Sequence, residues 1–159
     1  MRLTRYSDYA IRVLLYLGSQ PDDRLSSIGD IARSYGISHN HLMKVVNILT
    51  RTGYIKGVRG RSGGFTLAKP PEDINLGEVV RATEPDFALV ECFASGSQCI
   101  ITKRCKLPGI LNEALSAFIE TFDRYTLADI MLTKRDFVPT RGPIRATRGP
   151  SFTVAGHKR

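Results

Sequence analysis

From Ser7 to Ser19 the apolar residues Ala10, Val13, Leu14 and Leu17 fall at i, i+3, i+4 and i+7, which predicts an amphipathic helix with Ser7 as its N-cap. Pro21, Asp22 and Asp23 break that pattern. Ser27 then stands where it can cap a short second helix running to Tyr35, in which Ile28, Ile31 and Ala32 repeat the helical spacing. Gly36 stops it, and Ser38 can cap a third helix at once. Leu42, Val45, Val46 and Leu49 share one face of this third helix, and Asn40, Lys44, Asn47 and Arg51 share the other, up to Gly53. Two short helices joined by a tight glycine-containing turn, the second displaying polar and cationic side chains, form the pattern of a helix-turn-helix unit.

Two β-like runs follow, Tyr54 to Val58 and Phe65 to Leu67, around the basic glycine-rich tip Arg59-Gly-Arg-Ser-Gly-Gly64. A hairpin directly after a recognition-type helix makes a wing. Pro70 and Pro71 close this module, Leu76 to Thr83 reads as a short helix, and Phe87 to Leu107 sustains no period. A long helix is predicted from about Pro108 to Tyr125, where Leu111, Leu115, Phe118, Phe122 and Tyr125 form a seam suited to dimerisation. From Lys134 onward apolar periodicity fades and Thr-Arg-Gly-Pro occurs twice, which reads as a disordered basic tail. The predicted fold is mainly α with a small β wing, a winged helix-turn-helix plus a long dimerisation helix. Its parts are a DNA-binding domain at 1–69, a connecting helix and cysteine-rich loop at 70–107, the dimerisation helix at 108–133, and the tail at 134–159.

At 159 residues, with 42% hydrophobic and 24% charged residues, the chain suits one globular unit and excludes a large multidomain enzyme. No apolar run approaches the roughly 20 residues of a membrane span. Arg2, Arg5, Asp8 and Arg12 interrupt the stretch where a signal peptide would be uncharged, so a cytoplasmic protein without membrane association is expected. The net charge of +8 is unevenly spread: residues 1–69 hold 11 Lys or Arg against 4 acids, residues 70–133 hold 5 against 10, and residues 134–159 hold 7 against 1. Between Ser38 and Lys69 there are six cations and no acid, on the very elements that read as recognition helix and wing. That coincidence points to double-stranded DNA as partner, with Ser38, Asn40, His41 and Lys44 on the helix and Arg59 and Arg61 in the wing near bases or phosphates. Catalysis is not expected. His39 and His41 open the recognition helix and His157 lies in the tail, so no histidine is placed as a base for a cysteine nucleophile.

Cys92, Cys99 and Cys105 are the three cysteines, spaced Cys-x6-Cys-x5-Cys with Lys103, Arg104 and Lys106 close by. Cationic neighbours favour thiolates and balance an anionic cluster. Structural zinc prefers closer pairs and four ligands, so the spacing favours an iron-sulfur centre over zinc, and it leaves a thiol-disulfide switch open.

The opening Met1-Arg-Leu-Thr with Asp8-Tyr9, the segment Tyr35-Gly-Ile-Ser-His-Asn-His41, the wing Val58-Arg-Gly-Arg-Ser-Gly-Gly64, the cysteine loop and Tyr125-Thr-Leu-Ala-Asp129 together resemble the NsrR-type nitric-oxide-sensing repressors. These are a branch of the winged-helix iron-sulfur regulators, and the resemblance covers about residues 1–131. It implies a homodimer on a palindromic operator, holding an iron-sulfur cluster, [4Fe-4S] before [2Fe-2S], and releasing DNA when nitric oxide attacks the iron. It also implies Cys92, Cys99 and Cys105 as ligands with Asp8 of helix one as the fourth. The cluster-assembly branch carries a ligating histidine three residues after its last cysteine, where this chain has Pro108. The rhizobial iron branch shares the loop, so an iron- or redox-responsive regulator is the alternative, beside a zinc-stabilised DNA-binding module.

Overall fold

The computed structural model describes residues 3–21, 24–93, 98–101 and 103–137. Helix α1 (Arg5–Gly18), α2 (Ile28–Tyr35) and α3 (His39–Arg51) are followed by β1 (Ile55–Val58) and β2 (Gly64–Leu67), then α4 (Leu76–Thr83) and α5 (Leu107–Asp123), with short 3-10 turns between and after them. The fold is mainly helical with one two-stranded antiparallel sheet, in the register Ile55 to Leu67 and Val58 to Gly64. No helix among the described residues is long and apolar enough to cross a membrane.

The predicted stripes of α1 and α3 are the buried ones, while of the α2 stripe Ile31 is buried and Ile28 and Ala32 are only partly so. Ala10, Val13, Leu14 and Leu17 of α1, Ile31 of α2, and Leu42, Val45, Val46 and Leu49 of α3 form one core with Ile55 of β1 and Val79 of α4. Each fully buried aliphatic side chain contributes roughly 1.5–3 kcal/mol, so this cluster is what fixes the three helices against the wing. Two caps are as read from the sequence. Ser27 and Asp30 make a reciprocal capping box on α2, and Ser38 accepts the His41 N–H at the start of α3. The turn between α2 and α3 runs through Gly36 at φ 65°, a left-handed conformation that an L side chain rarely adopts.

The start of α1 differs from expectation. Its N-cap is Thr4, not Ser7, and Ser7 is fully buried on the face toward α4. Thr4 makes no side-chain cap of its own. Instead Glu84, just past α4, accepts hydrogen bonds from Thr4 N at 2.9 Å, from Thr4 Oγ1 at 3.2 Å and from Ser7 Oγ, while Ser7 Oγ and Thr83 Oγ1 lie 2.8 Å apart. A distant carboxylate thus holds the N-cap residue by its N–H and hydroxyl and the Ser7 hydroxyl besides, where a local serine cap was expected.

Helix α5 starts at Leu107, one residue before Pro108, and ends at Asp123. It is pinned at its C-terminal end: Arg81 donates to both carboxylate oxygens of Asp123 at 2.6 Å, which holds that carboxyl below its usual range, and Asn75 donates to the Asp123 carbonyl. Leu127 N–H then bonds the Ile74 carbonyl at 2.8 Å and its side chain is fully buried. Along α5 only Ile119 is buried, and Leu107, Ile110 and Tyr125 at or near its ends stay exposed in the single chain. Most of the expected tail, residues 138–159, lies outside the described residues. Its first part does not: Lys134–Phe137 form a 3-10 turn, and Phe137 packs onto the core.

Candidate nucleic-acid interface and cluster loop

Burying Leu42, Val45, Val46 and Leu49 turns the opposite face of α3 outward. Ser38, Asn40, His41 and Lys44 are all placed there, together with His39, Met43 and Asn47. Met43, 42% exposed, was not singled out from the sequence, because an isolated apolar residue among polar ones carries no pattern. The wing carries Arg59 and Arg61, both exposed, on a tip built for close backbone approach. A Cβ on Gly63 would sit 2.3 Å from the Val58 carbonyl oxygen, so only glycine closes this hairpin. Its base is fastened by two bonds between Ser26 and Phe65, 3.0 and 2.9 Å long. The ion pairs among the described residues are Arg12–Asp8, Arg33–Asp30 and Arg81–Asp123. None involves Lys44, Arg51, Lys56, Arg59 or Arg61, which leaves these charges available to phosphates.

Asp8 lies in the first turn of α1 with its side chain 45% exposed, and its Oδ1 accepts from Arg12 Nε at 2.9 Å. The same guanidinium stands 5.9 Å from the Tyr9 ring centroid and 5.8 Å from that of Tyr35. Tyr9 in turn faces His41, with ring centroids 6.3 Å apart, and His41 Nδ1 lies 3.2 Å from Ser38 Oγ. Tyr35 donates its hydroxyl to the Arg12 carbonyl, and burial pushes its phenol well above the ordinary range, so it stays a donor. Asp8 is therefore joined to the first turn of the recognition helix by Arg12 and Tyr9. Sequence reasoning named both ends of this chain and missed its middle, since a cation on α1 four residues after an acid reads as an ordinary helix pair.

The cysteines occupy the segment between α4 and α5. Cys92 sits half-buried in the 3-10 turn Glu91–Phe93, Cys99 is exposed, and Cys105 is half-buried just ahead of α5, its N–H bonded to the Ile101 carbonyl at 2.9 Å. Ile100, 97% exposed, and Ile101, 59% exposed, lie between the last two. Among the described residues no three His, Cys, Asp or Glu side chains come close enough to hold a metal ion. The donor set nonetheless fits an iron-sulfur cluster in its chemistry: three soft thiol ligands on one irregular segment, reachable from outside, with cations nearby.

A family model for Rrf2, described as iron-dependent transcriptional regulator, matches residues 3–133. The chain is 50% identical over 139 residues to the HTH-type transcriptional regulator NsrR of Bacillus subtilis (strain 168), covering 87% of this chain and 95% of that one. It is 46% identical over 150 residues to the protein of the same name from Geobacillus kaustophilus, covering 94% of this chain and all of the other. Among solved structures, T. potens IscR superposes with a TM-score of 0.65 at 23% identity, over 82% of this chain and 85% of that one. The B. subtilis global cysteine regulator CymR gives a TM-score of 0.61 at 23% identity, over 82% and 95%. These two likenesses concern the fold alone.

Proposed function

The chain belongs to the Rrf2 family and is a DNA-binding transcriptional regulator, and from that premise we propose that it is a homodimeric repressor whose hold on a palindromic operator is governed by an iron-sulfur cluster that responds to nitric oxide. Ser38, Asn40, His41 and Lys44 of α3 meet base edges and phosphates in the major groove, and Arg59 and Arg61 of the wing meet the backbone or minor groove beside it. The seam of α5, with Leu111, Leu115, Phe118 and Phe122, pairs with a second copy.

Cys92, Cys99 and Cys105 would hold the cluster, [4Fe-4S] in preference to [2Fe-2S], with the carboxylate of Asp8 contributed across the dimer. When bound, such a group would supply iron, and a carboxylate would hold that iron less tightly than a thiolate, leaving it accessible to a small molecule such as nitric oxide. Asp8 then has two alternative partners, because in the chain alone its carboxylate is taken by Arg12. When Asp8 leaves Arg12, that guanidinium is released to shift against Tyr9 and Tyr35, and Tyr9 bears on His41 at the head of α3. The path from Asp8 through Arg12 and Tyr9 to His41 is the observation that carries this reading, because it joins the proposed ligand to the DNA-reading helix within one chain.

The test begins with anaerobic purification, iron and sulfide analysis, and nitric oxide titration of DNA binding. It continues with a heterodimer of one Asp8→Ala subunit and one subunit lacking all three cysteines. Ligation across the dimer predicts a native cluster spectrum there, because the one intact loop meets the intact Asp8 of the other subunit. The altered spectrum of the Asp8→Ala homodimer would place ligation within one chain. A native spectrum in that homodimer would remove Asp8 from the ligand set.

A further inference from the structure

Met43 is an apolar side chain on the polar, outward side of α3. It is 42% exposed, and His39, Asn40, Lys44 and Asn47 near it on the helix are all exposed as well. Asn40 lies three residues before it and Asn47 four after, the spacings that bring side chains together on one side of a helix. Leu42, Val45, Val46 and Leu49 supply the buried stripe of α3, each at most 2% exposed, and Met43 is not among the side chains packed against that core. Helix propensity does not account for it either, since Lys, Gln and Glu serve an exposed helical position as well as Met does. A large apolar side chain left in water gains free energy when a partner covers it, and its neighbours decide which partner fits.

Those neighbours select DNA. From Ser38 to Lys69 the sequence holds six cations and no acid, and Lys44 directly follows Met43. A polyanion is therefore drawn to this side of the helix. In the major groove the base edges present hydrogen-bond donors and acceptors and one apolar group, the C5 methyl of thymine. Met has no hydrogen-bond donor and only a weak acceptor, so it matches none of the polar edges, while its unbranched thioether chain adapts to a small apolar group. Asn40 and Asn47 agree with that choice, because an Asn amide pairs with the edge of the adenine that stands opposite a thymine.

We propose that Met43 is a specificity-determining residue of α3, its side chain seated on the C5 methyl of a thymine, so that the chain prefers an A·T pair at that position of its DNA site. The inference rests on α3 lying in the major groove. It adds to the polar contacts of the helix one apolar contact that depends on base identity.

The probe is the duplex that the full chain, purified anaerobically, itself selects from a pool randomised over a central segment. Each thymine of that duplex is replaced in turn by uracil, which removes the C5 methyl and leaves every hydrogen-bonding group in place. Three proteins are compared: wild type, Met43→Leu and Met43→Gln, changes that keep helix propensity at an exposed position. One methyl group withdrawn from an apolar contact costs about fourfold in affinity. Wild type is expected to lose about that factor at one thymine position, and Met43→Leu to keep the loss. Met43→Gln should bind the thymine duplex more weakly and be indifferent to the replacement. A wild type that discriminates its site from a shuffled duplex yet tolerates uracil at every thymine overturns the role of Met43 alone. So does a Met43→Gln protein that loses as much as wild type, because another group then reads the methyl. A wild type that holds the shuffled duplex as tightly as the selected one refutes base reading by α3, and the inference with it.

Discussion

Removing the Glu84 carboxylate asks whether α1 is held in place from outside its own helix. Glu84 Oε1 accepts from Thr4 N at 2.9 Å and Thr4 Oγ1 at 3.2 Å, and from Ser7 Oγ, on a helix whose own N-cap side chain accepts no capping bond from the first-turn N–H groups. Losing an N-cap acceptor costs about 0.5–2 kcal/mol, and the charge of this one places Glu84→Ala toward the upper half of that range. Ser7 Oγ and Thr83 Oγ1 still satisfy each other at 2.8 Å, so no further penalty for an orphaned hydroxyl is added. With a urea m-value of about 1–3 kcal/mol/M for a small protein, the unfolding midpoint should fall by roughly 0.4–2 M. Glu84→Gln keeps an acceptor oxygen in the same place and should recover most of the loss. Amide hydrogen exchange in the first turn of α1, around Asp8, should speed up in Glu84→Ala and not in α2. Wild-type stability and exchange in Glu84→Ala, or a Gln variant no better than the Ala one, would refute the capping argument.

Arg59→Ala is expected to weaken operator binding by about 1–3 kcal/mol by removing the proposed wing contact in the minor groove, and Lys44→Ala should reduce the salt slope by roughly 1 by removing its proposed phosphate contact; both read out in titrations of a fluorescent duplex. Cys→Ala at 92, 99 or 105 should each abolish visible absorption and bound iron after anaerobic purification, and a variant keeping full iron would leave the ligand set. Leu127→Ala, at a fully buried position, should cost about 2–5 kcal/mol in chemical denaturation. Lowering pH should destabilise the fold. Hydrogen bonds from Ser27 hold Asp30 below its ordinary value, and hydrogen bonds from Thr133 hold Asp136 likewise. A depressed native carboxyl contributes stability that is complete above its unfolded pKa and is lost as pH falls through the lower folded one, so the loss should begin below about pH 4. Ser27→Ala should shrink that acid-side loss.

Whatever depended on one helix turn or one strand was legible in the sequence. The stripes of α1 and α3, the Ser27 and Ser38 caps, the bounds of α4 and the glycine-rich wing rest on neighbours within four residues, and periodicity reports such neighbours directly. The Ser7 assignment failed for the complementary reason. A serine before an apolar stripe reads as a cap, yet its hydroxyl meets Thr83 and Glu84, 76 and 77 residues away, and no local pattern encodes that meeting. Phe137 escaped notice likewise: one aromatic in a polar, cationic stretch has no period, and only the fold shows that Tyr16 and Tyr35 leave a slot for it. The outward placement of Ser38, Asn40, His41 and Lys44 was legible because burying one face of α3 leaves no choice about the other. The middle of the link from Asp8 to His41 was not, because Arg12, Tyr9 and His41 meet only once α1 has packed on α3.

Under the proposed function, that link also sets where the energy of regulation must reside. Asp8 and Arg12 are 45% and 42% exposed, and an ion pair so open to water is worth about 0–1 kcal/mol. Exchanging the partner of Asp8 is therefore cheap, as the proposed ligand role requires. It also means that the pair cannot itself supply a regulatory change in DNA affinity, since a hundredfold change requires about 2.7 kcal/mol. The larger sum is available only where many groups move together. Helix α1 packs against α3, α4 and β2, so a small displacement of its first turn is felt at the recognition helix and the wing at once. Glu84 fixes that first turn to the end of α4, from which the chain runs on to the cysteine loop, and Tyr9 fixes it to His41. In the proposed mechanism Asp8 is the trigger, while the difference in affinity comes from the several exposed side chains of α3 and the wing moving into or out of register with DNA together.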